Sequence, residues 1–112
     1  PLGYTVIICS DGMEAVEYYE KNWRVIDMVI IDMIMPRMEG KHAFAAMRKI
    51  NPHVSAILMT GHSFNNDIQE ALSNGMKGYL QKPFLTDEML SLVEKHLPPG
   101  GLRKREEASA LA

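Results

Sequence analysis

The chain has 112 residues, of which 46% are hydrophobic and 23% charged, and its formal net charge is -2 at pH 7. This length fits a single domain, and the charge balance argues against direct binding of nucleic acid or of a membrane surface. The lone cysteine, Cys9, excludes an internal disulfide and fits a reducing, cytoplasmic setting. We find no apolar run of membrane-spanning length and no signal-peptide pattern, which also favours a cytoplasmic location.

Short apolar runs alternate with segments of helical periodicity along the sequence. The run at positions 28–31 is continuously apolar, which is typical of a parallel strand covered on both faces. After each run the apolar residues recur at the spacing of one helix face. The order β-α-β-α-β-α-β-α therefore predicts a parallel sheet with helices on both faces. The four predicted strands lie within positions 4–9, 28–31, 56–59 and 78–80.

Polar side chains that follow three successive predicted strands form a candidate site. In open parallel sheets the chemistry lies at the carboxyl ends of the strands, so we expect Asp32, Thr60 and Lys82 to converge. An aspartate can accept a phosphoryl group as a nucleophile, a lysine can neutralise a phosphoryl oxygen, and a threonine can donate a hydrogen bond. Each residue alone is more often a helix cap, a local hydrogen-bond partner or a solvated side chain. Together they predict a phosphoryl-transfer site.

Three stretches resemble the receiver domains of two-component response regulators. The sequence Asp-Met-Ile-Met-Pro-Arg-Met-Glu-Gly at 32–40 resembles the phosphoacceptor loop of that family. Met-Thr-Gly at 59–61 resembles its hydroxyl-bearing step, and Gly-Tyr-Leu-Gln-Lys-Pro-Phe at 78–84 resembles its Lys-Pro signature. The resemblance covers positions 2 to about 97. It implies an α/β fold of the flavodoxin-like class, with a doubly wound parallel sheet.

The resemblance implies a role for each candidate residue. Asp32 would be the phosphoacceptor, supplied by the phosphohistidine of a sensor histidine kinase or a phosphotransfer protein. Lys82 would pair with Asp32 and then with a phosphoryl oxygen. Thr60 would close onto the aspartyl-phosphate, and the ring of Tyr79 would turn inward as Thr60 moves.

A Mg²⁺ cofactor and a special peptide bond are also implied. Asp32 and the backbone carbonyl of Ile34 would be metal ligands, whereas the acidic pair that the family uses for the remaining coordination has no counterpart in this chain. Mg²⁺ demands octahedral oxygen coordination, so this set is incomplete. The peptide bond between Lys82 and Pro83 would be cis, which proline makes accessible. Ile34 and His62 would flank the phosphoryl group.

The first strand and first helix of the family are missing from the sequence. The family's sheet order, 2-1-3-4-5, places that strand between the first two strands present here. We therefore expect a gap between the strand around Val6 and the strand around Ile30, filled by further residues or by another chain, because unpaired backbone groups are costly. We assign positions 1–97 to the receiver domain and positions 98–112 to a linker or C-terminal tail.

Three classes of function are compatible with these observations. The leading hypothesis is a phosphorylation-driven signalling switch, not an enzyme beyond self-catalysed phosphotransfer and autodephosphorylation. The alternative is a pseudo-receiver that binds partners and is never phosphorylated. An enzyme on the same fold ranks far lower, because no glycine-rich phosphate loop is present. The output partner is unknown, and the fold allows a dimer through the last two helices or by strand exchange.

Overall fold

The computed structural model describes residues 5–97 and 109–111. The predicted alternation of strands and helices is confirmed for four strands and four helices. A short 3-10 turn, Trp23–Val25, follows the first helix, and a fifth strand lies near the end of the chain. The elements are β1 (Thr5–Cys9), α1 (Gly12–Asn22), β2 (Met28–Asp32), α2 (Gly40–Ile50), β3 (Ala56–Thr60), α3 (Asn66–Ser73), β4 (Gly78–Gln81), α4 (Thr86–His96) and β5 (Ser109–Leu111).

Side chains of the turn residues fix where several helices begin. The carboxylate of Asp11 accepts hydrogen bonds from the N–H groups of Met13 and Glu14 in the first turn of α1. The side chain of Asn65 accepts one from the N–H of Ile68 in the first turn of α3. Such N-caps satisfy donors that have no partner within the helix. At the start of α4, the carboxylate of Glu88 accepts from the N–H of Leu85 at 2.7 Å. The loops at the carboxyl ends of the strands therefore end at defined residues, where the next helix begins.

Alternate residues of each strand point to opposite faces of the sheet, as the pleat requires. Helices α1, α2 and α3 contribute side chains to the core on one face, and α4 covers the core on the other. Both faces are thus covered, as the apolar run of β2 predicted. The strand residues of the first core are Ile7, Cys9, Val29, Ile31, Ala56 and Leu58, and those of the second are Met28, Ile30, Ile57, Met59 and Leu80.

The predicted gap in the sheet is wrong. Strand β1 pairs directly with β2 in parallel, with Val6 opposite Met28 and Ile8 opposite Ile30. Direct pairing satisfies the backbone N–H and C=O groups that a gap would have left exposed on both strands. The pairing also puts paired apolar side chains of β1 and β2 on the same face of the sheet. Ile7 lies opposite Val29, and both belong to the first core.

Within the described residues, the strand order is β4-β3-β2-β1-β5. Strand β5 pairs in parallel with the outer edge of β1, with Thr5 opposite Ser109 and Ile7 opposite Leu111. This strand was not among those predicted. The predicted linker or tail at 98–112 falls mostly outside the described residues, and the division of the chain at residue 97 stays a prediction. Among the helices described, none has the length and apolar character needed to cross a membrane.

Candidate phosphoacceptor site

Asp32 ends β2 and forms an ion pair with Lys82, which lies just after β4. The Lys82 Nζ is 2.9 Å from Asp32 Oδ2, and the other carboxylate oxygen accepts a hydrogen bond from the N–H of Ile34 at 3.3 Å. The Asp32 side chain is 19% exposed and that of Lys82 is 43% exposed. The carboxylate is therefore held in place and still open to a reacting partner.

Thr60 ends β3, the strand between those that carry the ion pair. Its side chain is buried, and its hydroxyl donates to the sulfur of Met33 at 3.8 Å while accepting from the N–H of His62 at 3.1 Å. The carbonyl of Thr60 accepts from the N–H of Lys82 at 2.6 Å. A thioether sulfur is a weak acceptor, so the hydroxyl could exchange it for a phosphoryl oxygen with little loss. The three predicted residues are thus brought together at one edge of the sheet.

The loop between β2 and α2, residues 33–39, is tightly folded: its first residue is hydrogen-bonded to β3, and its end lies against the end of β2. The N–H of Met33 donates to the carbonyl of Met59 at 2.8 Å, and the N–H of Gly40 donates to the carbonyl of Met33 at 3.0 Å. A Cβ at Gly40 would overlap the backbone carbonyl of Asp32. Ile34 projects from this loop with 70% of its surface exposed, beside the carboxylate it contacts through its backbone.

A groove of about 600 Å³ opens beside this loop, between α2 and α3. Met33 and His62 line its end nearest Thr60, and the side chains of Phe44, Leu58 and Met76 contribute to its walls. This groove could not be predicted from the sequence, because it depends on how two helices pack. The groove provides space into which the Met33 side chain can move.

Tyr79 lies in β4 and is half-buried against the first core. Its ring centroid is 5.9 Å from that of Phe64, with the rings inclined at 52°. Phe64 is more than half exposed and belongs to the loop that follows Thr60. Sequence reasoning selected Tyr79 and missed Phe64, for which the only signal was an aromatic residue in an otherwise polar loop. The peptide bond between Lys82 and Pro83 is cis.

The metal ligands predicted from the resemblance do not complete a Mg²⁺ site. In the described part of the chain, no group of three or more His, Cys, Asp or Glu side chains is arranged to hold a metal ion. Asp32 and the carbonyl of Ile34 would supply two oxygens of an octahedral shell in which Mg²⁺ usually keeps several waters. Asp11, which also follows a strand, is hydrogen-bonded to Arg37 at 3.0 Å.

Comparison with known proteins identifies the family to which this chain is similar. The model of the response regulator receiver domain family matches residues 2–94. Transcription factor SKN7 of Chaetomium thermophilum is 40% identical over 88 residues, which are 79% of this chain and 12% of that protein. Hybrid signal transduction histidine kinase B of Dictyostelium discoideum is 33% identical over 109 residues, covering 85% of this chain and 5% of that protein. The chain belongs to the response regulator receiver domain family.

Solved structures agree on the fold. A chain in the crystal structure of the CheX-CheY-BeF3-Mg²⁺ complex from Borrelia burgdorferi aligns with a TM-score of 0.77 at 20% identity, covering 82% of this chain and 87% of that one. The predicted flavodoxin-like class is confirmed. Receiver domains act in two-component signalling as switches rather than as conventional enzymes, and phosphorylation and Mg²⁺ are typical of them. The chain spans only a small fraction of the length of the curated relatives named above.

Proposed function

We propose that this chain is the phosphoacceptor module of a two-component phosphorelay. Asp32 takes a phosphoryl group from the phosphohistidine of a sensor histidine kinase or a phosphotransfer protein, and the modified site changes the affinity for an output partner. The observation that carries the proposal is the Asp32–Lys82 ion pair at 2.9 Å, with the Thr60 hydroxyl on the strand between them. Kinases among the relatives support a kinase as the donor, and the single buried thiol of Cys9 is consistent with a cytoplasmic setting.

The transfer requires a nucleophile in line with the leaving group and little covalent assistance. A carboxylate oxygen of Asp32 forms a bond to phosphorus as the bond from phosphorus to the imidazole nitrogen breaks. The electron pair of the broken bond stays on that nitrogen, which takes up a proton from water. The product is an acyl phosphate on Asp32. Later attack of water on the phosphorus would break its bond to the Asp32 oxygen, releasing inorganic phosphate and returning the carboxylate.

Lys82 and Thr60 contribute charge and hydrogen bonding to this step. The ammonium group of Lys82 already contacts the carboxylate, so a small movement brings it to a phosphoryl oxygen, where it offsets negative charge. The Thr60 hydroxyl can leave the Met33 sulfur and donate to another phosphoryl oxygen. Bound Mg²⁺ would supply further charge neutralisation, but the described residues do not complete its site, and the roles given to Asp32, Lys82 and Thr60 do not depend on it.

A direct test is transfer from a phosphohistidine protein. We expect the chain, mixed with a phosphorylated phosphotransfer protein and Mg²⁺, to gain one acid-labile phosphoryl group while the donor loses its own. Phosphate-affinity electrophoresis of both proteins measures the exchange, and a donor whose histidine is replaced is the control. Absence of uptake from both this donor and acetyl phosphate would support the alternative, a pseudo-receiver that binds partners without being phosphorylated.

Thr60 and Tyr79 form the proposed switch. A phosphoryl group adds about two negative charges and three acceptor oxygens, which draw the Thr60 hydroxyl away from Met33. The Met33 side chain then moves toward the adjacent groove, and the ring of Tyr79 turns inward and loses its contact with Phe64. The surface formed by α3, β4 and α4 is thereby altered.

The switch predicts a specific spectroscopic response. Addition of beryllofluoride, which imitates a phosphoryl group, should shift the aromatic resonances of Tyr79 and Phe64 together in the unmodified chain. Thr60→Ala should abolish this coupled shift while leaving the chain folded, because its backbone hydrogen bond to Lys82 remains. Thr60→Ser keeps the hydroxyl and should retain the response. An undiminished shift in Thr60→Ala would show that the hydroxyl is not the link.

A further inference from the structure

Arg37 has a backbone conformation that its residue type disfavours. Its φ is 68°, and among the described residues no other position apart from glycine has a positive φ. The left-handed region places Cβ close to the following carbonyl oxygen, which is costly for a residue other than glycine, asparagine or aspartate. Arg37 lies in the middle of the 33–39 loop that leaves the proposed phosphoacceptor. Interactions outside the loop must therefore favour this conformation.

The guanidinium group of Arg37 makes those interactions at the N-terminus of α1. Its Nε is 3.0 Å from Asp11 Oδ2, and its Nη2 is 3.6 Å from Glu14 Oε2. The other oxygen of Asp11 accepts from the N–H groups of Met13 and Glu14, so one carboxylate caps the helix and binds the arginine at once. The hydrogen bond from Arg37, followed by that from the backbone of Glu14, lowers the pKa of Asp11.

Backbone contacts join the same two segments. The N–H of Gly12 donates to the carbonyl of Pro36 at 3.4 Å, and a Cβ at Gly12 would overlap the carbonyl of Met38. Only a residue without a side chain allows this close approach. The loop is thus held at one end by its hydrogen bonds to β3 and α2, and in its middle by the start of α1.

We infer that Arg37 is a positioning residue: it fixes the 33–39 loop against the N-terminus of α1 and so sets the place of Ile34 beside Asp32. The inference rests on the proposed phosphoacceptor function. Exposed ion pairs usually contribute little, because two long side chains must be ordered to form them. Here the carboxylate of Asp11 is already ordered by the helix that it caps, so less is lost on pairing.

Two substitutions separate the ion pair from the backbone geometry. Arg37→Asn removes the guanidinium but keeps a residue that tolerates a positive φ, and Asp11→Asn removes the charge but keeps a good N-cap. Lys41→Ala is the matched control, since it removes one exposed positive charge at the start of α2 without touching Asp11. The readouts are the initial rate of phosphoryl uptake from acetyl phosphate and the amide resonances of Met33 and Ile34.

At low ionic strength we expect each asparagine variant to slow uptake about threefold, as befits an exposed pair. Both variants should move the two amide resonances in the same direction, and the double variant should be no slower than either single one. In about 1 M salt, where charges are screened beyond about 3 Å, the difference from the unmodified chain should largely vanish. Non-additive substitutions whose effect disappears in high salt would indicate one shared ionic interaction. A general loss of folding stability would not produce both results.

The inference is overturned if the amide resonances of both variants match the unmodified chain, if the two substitutions act additively, or if Lys41→Ala has the same effect. These outcomes differ from the result expected if the proposed phosphoacceptor function is wrong. A chain that takes up no phosphoryl group at all contradicts the function, while the amide resonances still decide whether Arg37 positions the loop.

Discussion

The Asp32→Asn variant is expected to take up no phosphoryl group, a loss of at least about a thousandfold in rate, the scale seen when a nucleophile is removed. An amide is a poor nucleophile toward phosphorus and carries no negative charge to attract Lys82. The substitution changes little volume, and the N–H of Ile34 can still donate to the side-chain oxygen. Uptake from acetyl phosphate, followed as acid-labile phosphate per chain, measures the effect.

Asp67→Asn is the matched control, because Asp67 is an exposed carboxylate in the first turn of α3. It should take up phosphoryl groups at the rate of the unmodified chain. Stoichiometric acid-labile phosphate on Asp32→Asn would place the acceptor elsewhere. A parallel loss in both variants would indicate an effect of net charge rather than of one nucleophile.

Gly40→Ala should destabilise the chain by about 1–3 kcal/mol, the typical cost of overpacking a well-packed site. The added Cβ would overlap the backbone carbonyl of Asp32 and crowd a side-chain carbon of Ile31, which is fully buried. Either α2 or the end of β2 must move, and the second movement displaces the phosphoacceptor. Urea unfolding measures the change in stability, and uptake from acetyl phosphate should fall as well.

Gly61→Ala provides the control for this substitution. Gly61 follows Thr60 in the neighbouring loop, and in the described part of the chain no heavy atom beyond its two chain neighbours lies within 4 Å of a Cβ built there. Its stability should stay within about 0.5 kcal/mol of the unmodified chain, as for surface positions generally. Equal unfolding free energies for the two alanine variants would contradict the close approach of α2 to Asp32.

The convergence of Asp32, Thr60 and Lys82 could be predicted from two features: the sequence pattern of the strands and the geometry of parallel sheets. The apolar runs end where these residues begin, and parallel strands bring their carboxyl ends to one edge. The resemblance to receiver domains then gave each residue a role. Neither feature depends on side-chain conformation, so the prediction required only the order of the strands and helices along the chain. The flavodoxin-like class followed from the same alternation.

The strand neighbours of β1 could not be predicted in this way. Its residues Val6, Ile7 and Ile8 are apolar whichever strand lies beside them, so the sequence pattern specifies two covered faces but not a partner. The family's strand order suggested a gap, whereas satisfaction of backbone hydrogen bonds brings β1 against β2. Strand β5 was missed because its short sequence shows no strand periodicity.

Contacts between distant loops were also beyond sequence reasoning. Arg37 and Asp11 are 26 positions apart, and their pairing depends on a positive φ that arginine rarely adopts. The hydrogen bond from Thr60 to Met33 likewise depends on a rotamer rather than on a motif. The sequence indicates the main residues of the site, whereas these contacts, which surround it, are seen only in the structure.

Reductive trapping of the modified residue tests the central claim most directly. Borohydride reduces an acyl phosphate to an alcohol and leaves ordinary carboxylates intact, so peptide mass spectrometry after phosphorylation identifies the acceptor. We expect the reduced side chain at position 32 alone, with Asp11, Asp27 and Asp67 unchanged. Reduction at another carboxylate, or none in a chain that has gained phosphate, would contradict the assignment of Asp32 as the phosphoacceptor.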